Sequence, residues 1–361
     1  MGRHLLVFGS ALLGIGILCG VLIYLGWGNV ESPSLWARFL AGVGIVVHQI
    51  EMLGLLGFLS LAGVVLATLL CWSLSWWIIL RAYGVRVSWW ATWRARICGF
   101  AITYLTPSMY LGGEPASVYL IARESGGSSP ATRIVATILV AKLLEGLCLL
   151  AFIYLGVYYA LATKLLPLDD TGAMVTGMVL FGVFLALLLI NLAGHRLWGT
   201  RVLGWLREHL PWKRALAIAQ AKVREVEEDV FIAFKEHGRA TLLAFLLNLC
   251  ATFFVFLRPQ VFFLFALRAF FPVSHLAMIY TLFIFLGAFF WVTPGGTGIF
   301  EVGSWGIFSL FPLISLVTRA PMAVPQESAI AFALALKTIE FPLVGLGLFY
   351  LIRVGFLKIR R

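Results

Sequence analysis

The sequence predicts an all-α polytopic membrane protein, with about eight membrane-embedded helical segments, re-entrant half-helices and an inverted-topology repeat. Three observations predict it. Of 361 residues, 61% are hydrophobic and only 12% charged, where soluble domains carry about 25% charged residues. Apolar runs long enough to cross a hydrocarbon core of about 30 Å recur along the chain. Two breaks, residues 106–115 and 293–301, each combine Thr-Pro, Gly-Gly and a glutamate. A soluble core could not hide so much apolar surface, so lipid must solvate much of the chain.

Residues 5–27, behind Arg3-His4, read as a retained first span. The run is too long for a signal-peptide core, and no small-x-small cleavage pattern interrupts it. Residues 28–49 read as an external loop and 52–80 as the next span. The Trp-rich stretch 89–104 has basic residues on both sides and ends at Thr106-Pro107. It reads as a half-helix that enters, breaks and returns, which is tolerated only where protein or a wet cavity surrounds the break. Further runs follow at 134–162, 174–192, 241–267, 276–292, 299–317 and 330–352. Residues 195–239 are the one sizeable polar segment and hold nine of the 27 Lys/Arg, interleaved with Trp198, Trp205 and Trp212. That pattern suits amphipathic helices lying on a membrane surface. The whole chain, 1–361, then reads as one membrane domain. Its first half is 1–193, its cytoplasmic interfacial segment 194–239 and its second half 240–361.

The net charge of +11 sits in alternate loops. Basic residues gather at Arg3, at Arg81/Arg86/Arg94/Arg96, at Arg123/Arg133, through 196–239 and at the C-terminus, while the intervening loops hold one each. By the positive-inside rule both termini lie in the cytoplasm of a multi-pass protein of the inner or plasma membrane. The rule accounts for the basic surplus, so no nucleic-acid partner is implied. Five cysteines lie in or beside apolar runs without a C-x-x-C, and six histidines show no paired ligand spacing. Neither a metal site, a cofactor nor a catalytic residue is expected.

Each break precedes a helix bearing Lys-x-x-Glu: Lys142 with Glu145, and Lys337 with Glu340. Spacing i, i+3 puts each pair on one helix face. Lys142 lies nine residues past Arg133, roughly 13 Å into the core at 1.5 Å per residue. A lone charge there costs about 2.5–3.5 kcal/mol, so a partner or a wet cavity is expected. The other reading of each pair is a salt bridge that only locks helices together. Under the predicted topology the two lysine helices run in opposite directions, and the two breaks enter from opposite faces. That is the pattern of an inverted repeat with a binding site between its halves.

The candidate substrate-binding residues are Thr106, Ser108, Tyr110, Gly112, Gly113 and Glu114 of the first break, with Lys142 and Glu145. From the second break come Thr293, Gly295, Gly296, Thr297, Gly298 and Glu301, with Lys337 and Glu340. Arg258 joins them, read equally as a cavity residue and as a structural partner of a glutamate. Free N–H groups at half-helix ends favour anions such as phosphate. Tight helix packing is the other reading of the second break's glycines. Asn248 reads as an interhelical hydrogen-bonding residue, and His48 near Glu51 as structural.

The run Gly112-Gly113-Glu114-Pro115 with Tyr119-Leu-Ile-Ala-Arg123, and the Thr293–Glu301 motif, resemble the lysylphosphatidylglycerol synthase transmembrane family, over most of the chain. Lys337 sits where that family carries a basic residue. The family's acidic residue followed three positions later by arginine is not met, because Ser117 holds that position. The resemblance implies moving lipids between leaflets: phospholipids, aminoacylated among them, or lipids linked to polyprenyl phosphate. Fused members carry a soluble aminoacyl-transfer domain, and this chain ends at Arg361, so synthase activity is not expected. The partner expected is a membrane lipid with an anionic or zwitterionic head group, and oligomerisation stays open. Two rival readings stand beside the flippase: a membrane transferase or hydrolase acting on a lipid-linked phosphate, and a non-transporting lipid-binding scaffold.

Overall fold

A computed structural model describes residues 2–27, 34–106, 113–127, 129–163, 198–209, 213–287, 289 and 292–359, with a few isolated positions between 164 and 197. The expected span 174–192 therefore lies outside the described residues, apart from those isolated positions.

The helices are α1 (Gly2–Gly26), α2 (Leu35–Ala82), α3 (Trp89–Leu105), α4 (Glu114–Glu124), α5 (Ala131–Ala162), α6 (Trp198–His209), α7 (Lys213–Lys235), α8 (Gly238–Leu267), α9 (Val273–Gly287), α10 (Ile299–Ser309) and α11 (Gln326–Ile359). The fold is an all-α membrane fold. Among the described residues, α2, α5, α8 and α11 are long and apolar enough to cross a membrane.

Two expectations are corrected. Residues 28–49 are not simply a loop, because α2 starts at Leu35 and runs 48 residues. At 1.5 Å per residue that is about 72 Å, more than twice a hydrocarbon core. Gly54, at φ 66° and ψ 169°, breaks it, a conformation open to glycine and closed to other residues. The first arm, 35–53, packs on α1 and ties to α11 through Ser328 Oγ, which donates to Gln49 Oε1 at 2.9 Å. The run 299–317 is not one helix. α10 stops at Ser309, just before Pro312, which supplies no N–H and restricts Phe311. The chain then forms strand β2.

Three short strands form one antiparallel sheet: β1 (Ala269–Phe270), β2 (Leu313–Ser315) and β3 (Pro321–Met322). Ala269 pairs with Ser315, and Leu313 with Met322. The sheet joins the loop after α8 to the loops before α11, two segments that the charge pattern had placed on the same face. Strand backbone at this site satisfies polar groups that no helix can serve.

The element order repeats. The second arm of α2 (55–82), then α3, a break, α4 and α5 is matched by α8, α9, a break, α10 and α11. Contacts repeat with it: α2 packs on α8, α5 on α9, and α11 on α3. The long last helix of each half thus lies against the short helix of the other. As expected, α3 and α4 fold back on each other, closed at their base by Arg94 Nη2 and Glu124 Oε1 at 3.0 Å.

The halves are held together differently. Around α8, α9, α10 and α11 the core is phenylalanine on phenylalanine: Phe308 meets Phe263, Phe332 and Phe271 with ring centroids 4.9, 5.3 and 5.7 Å apart. Lipid tails are as apolar as these rings, so close packing rather than escape from water is what the cluster gains. Around α2, α3 and α5 hydrogen bonds contribute more. The Trp76 indole donates to Thr137 Oγ1 at 3.1 Å, and Asn248 Nδ2 donates to Ser75 Oγ at 2.7 Å. Asn248 is therefore the interhelical hydrogen-bonding residue that its type and place suggested.

Candidate functional site

Where the two halves meet, a cavity of about 700 Å³ is walled by α2, α3, α5, α8, α9 and α11 and by both breaks. Much of its wall is apolar, including Leu69, Trp72, Phe256, Phe283 and Phe332. Into it project Arg96, Glu114, Lys142, Glu145, Arg258, Lys337 and Glu340. Charges grouped between apolar helices are costly unless paired or wet, and a cavity among them supplies both conditions.

In the first half Lys142 holds two carboxylates, Glu145 Oε2 at 2.9 Å and Glu114 Oε1 at 3.3 Å. The first is the i, i+3 pair expected on α5. The second crosses to α4, whose first residue is Glu114. α4 begins close to α3: a Cβ on Gly113 would lie 2.0 Å from the Gly99 carbonyl oxygen. Ser117 Oγ fastens the approach by donating to Ala95 O at 2.9 Å. The ion triad stays open to the cavity, with Lys142 34% and Glu114 19% exposed.

The second half repeats the cross-helix pair but not the pair within one helix. Lys337 is the twelfth residue of α11, as Lys142 is of α5. Its Nζ lies 2.7 Å from Glu301 Oε1 on α10, while Glu340 pairs with Arg258 Nη1 at 3.7 Å. The expected Lys337–Glu340 pair gives way because Glu301 is 0% exposed and has the greater need of a cation. Its other oxygen, Oε2, accepts the Gly298 N–H at 2.8 Å and caps α10. The Lys337–Glu301 contact is an ion pair by distance, with angles that miss hydrogen-bond geometry.

The second break follows from its glycines. Gly295 (φ 58°), Gly296 (φ 62°) and Gly298 (φ 83°) take left-handed backbone that turns the chain between α9 and α10. Thr293 Oγ1 donates to Thr297 O at 2.9 Å, and Thr297 Oγ1 to Pro294 O at 2.8 Å. The Tyr104 ring from the end of α3 lies on Gly295, where a Cβ would come within 2.5 Å of Tyr104 Cε1. The halves touch there.

Of the residues singled out in the sequence, Thr106, Gly113, Glu114, Lys142, Glu145, Arg258, Gly295, Gly296, Lys337 and Glu340 line the cavity. Thr293, Gly298 and Glu301 do not; they build the break behind it. Thr297 lines a smaller apolar groove between α1, α2 and α11, which Lys337 also reaches. Ser108, Tyr110 and Gly112 lie outside the described residues. Arg258 fills both of its possible roles, lining the cavity and pairing with Glu340.

Arg96, Tyr104 and Tyr280 also line the cavity and were missed. Arg96 read as one of a cluster of loop cations. Yet α3 starts at Trp89, capped by Ser88 Oγ accepting the Ala91 N–H. Arg96 therefore lies two turns into the helix, roughly 10 Å along it. The cap Ser88 was the available signal.

Neither a curated protein nor a solved structure matches the chain. A family model described as the lysylphosphatidylglycerol synthase TM region matches residues 12–347, which include every element from α2 to α10, both breaks and all the charged cavity residues. The chain belongs to the lysylphosphatidylglycerol synthase transmembrane-region family.

Proposed function

We propose that the protein moves a lipid between the leaflets of the membrane, its head group passing through the charged cavity while its tails stay in lipid. The substrate class is a phospholipid, aminoacylated or not, or a polyprenyl-phosphate-linked lipid. The observation that carries the reading is the cavity itself. It is a space of about 700 Å³ between two halves of repeated design, with apolar walls and paired charges at its centre. Membership of a lipid-related membrane family supports it. The repeat is read as inverted, with the breaks approaching the cavity from opposite faces and both termini cytoplasmic. Thr106, Gly113, Glu114, Lys142, Glu145, Arg258, the Gly295–Gly296 turn, Lys337 and Glu340 form the head-group path.

An open cavity argues against a scaffold that only binds lipid at its rim. The experiment is translocation of a head-group-labelled phospholipid in proteoliposomes. Wild-type protein is expected to move label between leaflets, and Lys142→Ala to slow it by roughly tenfold or more, a rise of about 1.4 kcal/mol in the barrier, as Glu114 and Glu145 lose the cation that holds them at the path. Wild-type rates from a folded Lys142→Ala protein, or no translocation of any lipid by the native chain, would sink the reading.

A further inference from the structure

Each half contributes two cations and two carboxylates to the centre. In the second half they match one to one, Lys337 with Glu301 and Arg258 with Glu340. In the first half Lys142 takes both carboxylates. Arg96 is then left without an ion pair among the described residues, its Nε shielded and without a hydrogen-bond partner. The Trp76 ring lies 5.5 Å from Arg96 Cζ. One lobe of the cavity therefore carries two unlike charges side by side: a guanidinium at +1 and a Glu114–Lys142–Glu145 triad at −1, with Glu145 and Glu114 within electrostatic reach of Arg96 but not in contact with it. Glu114 turns Oε1 to Lys142 and keeps Oε2 shielded, also without a hydrogen-bond partner.

We infer that this lobe takes a zwitterionic phosphodiester head group, its phosphate on Arg96 and its single ammonium on Glu114. The inference rests on the head-group reading above and names the charge class. A guanidinium grips a phosphate with two parallel N–H donors, which a lysine already holding two carboxylates cannot do. An ammonium brings three donors to the free Glu114 oxygen. The charge sum favours the same ligand. The centre is neutral when all eight groups are ionised, so a monoanionic head group would leave one net charge at membrane depth and a zwitterion would leave none. Phosphatidylethanolamine and phosphatidylglycerol esterified with one neutral amino acid both carry this chemistry.

The test is lipid binding to the purified full chain by native mass spectrometry. The probes are phosphatidylethanolamine, alanyl-phosphatidylglycerol, phosphatidylglycerol and phosphatidic acid. At least one of the two zwitterions is expected to bind roughly tenfold or more above phosphatidylglycerol, and the stronger of the two identifies the source. Arg96→Gln is expected to lose that binding, Arg96→Lys to keep part of it, and Glu114→Gln to shift preference toward phosphatidylglycerol. Should Arg96→Gln fail to fold, the Glu114→Gln shift decides alone. Phosphatidylglycerol or phosphatidic acid binding as well as both zwitterions would overturn the inference, as would undiminished zwitterion binding by folded Arg96→Gln. Zwitterion binding without translocation would sink transport and leave this inference standing. Translocation selective for anions would do the reverse.

Discussion

Glu114 and Glu301 hold matching places, each in the first turn of the short helix after a break and each facing a lysine from the twelfth position of the next long helix. Their surroundings differ. Glu114 is open to the cavity and shares its lysine with Glu145, whereas Glu301 is sealed, caps its own helix and has Lys337 as its ion-pair partner among the described residues. A repeated pattern therefore fixes which helices are joined by charge but not what the charge does. The second half, with its phenylalanine core, uses the pair to hold the break in place. The first half keeps its ion triad open to the cavity.

The largest expected effect separates the two lysines. Lys337→Met leaves the Glu301 carboxylate buried and unpaired, a loss of about 3–5 kcal/mol, read as a fall in the melting temperature of the detergent-purified protein. Adding Glu301→Gln to Lys337→Met is expected to restore much of it, since removing both charges of a buried pair is far milder than removing one. Lys142→Met, whose carboxylates can draw water from the cavity, should cost at most about 1 kcal/mol. Equal losses for the two lysine variants would break the comparison.

Next in size is Gly298→Ala. Its φ of 83° disfavours any side chain, and a Cβ would stand 2.6 Å from Ile17 Cβ and 2.7 Å from the Gly14 carbonyl oxygen on α1. Strain of this kind costs about 1–3 kcal/mol and should loosen α1 from the second break, seen as faster hydrogen exchange across 10–26. Unchanged exchange and melting would show that the second half is not held rigid by its turn.

These differences set what the sequence could disclose. Membrane class and the two breaks were legible, because composition and glycine placement are local properties. The Lys142–Glu145 pair was legible for the same reason. Lys337 was not, since i, i+3 spacing states only that a contact is within reach, and Glu301, 36 positions upstream, competes for the same ammonium. Arg96 was hidden by neighbours: beside Arg94 it counts as one more loop cation, and only the start of α3 at Trp89 moves it inward. The first arm of α2 escaped because Gly54 lets a helix turn without the polar stretch that marks a loop.

Accessibility offers a smaller effect on the fold and a direct view of the contrast. In a chain whose five cysteines are replaced, Glu114→Cys should react with a charged, water-soluble thiol reagent roughly tenfold or more faster than Ser304→Cys on α10. Ser304 is fully buried. Similar rates would mean that both halves open alike.

The smallest effect concerns how the two lysine helices are anchored at their first turns. On α11 the anchor is Ser328 to Gln49; on α5 it is Thr132 Oγ1 donating to Glu225 Oε1 of α7 at 2.7 Å. α7 is also held by the Tyr83 hydroxyl, which donates to the Asp229 carbonyl, and by buried Val230. Burial raises the pKa of the Asp229 carboxyl above its ordinary value, Glu225 and Glu228 push the same way, and Arg133 opposes them. The folded protein therefore holds this proton more tightly than the unfolded chain does. The group's support for folding is complete below the ordinary aspartate pKa and is lost as pH rises through the raised one. Hydrogen exchange along α7 should accordingly be slower, relative to Asp229→Asn, at mildly acid pH than at neutral pH. The α11 anchor is a neutral hydroxyl–amide contact and should show no such difference around Ser328. A wild-type α7 whose protection tracks that of Asp229→Asn at both pH values would remove Asp229 from the anchor and leave Thr132–Glu225 and Tyr83 to hold it.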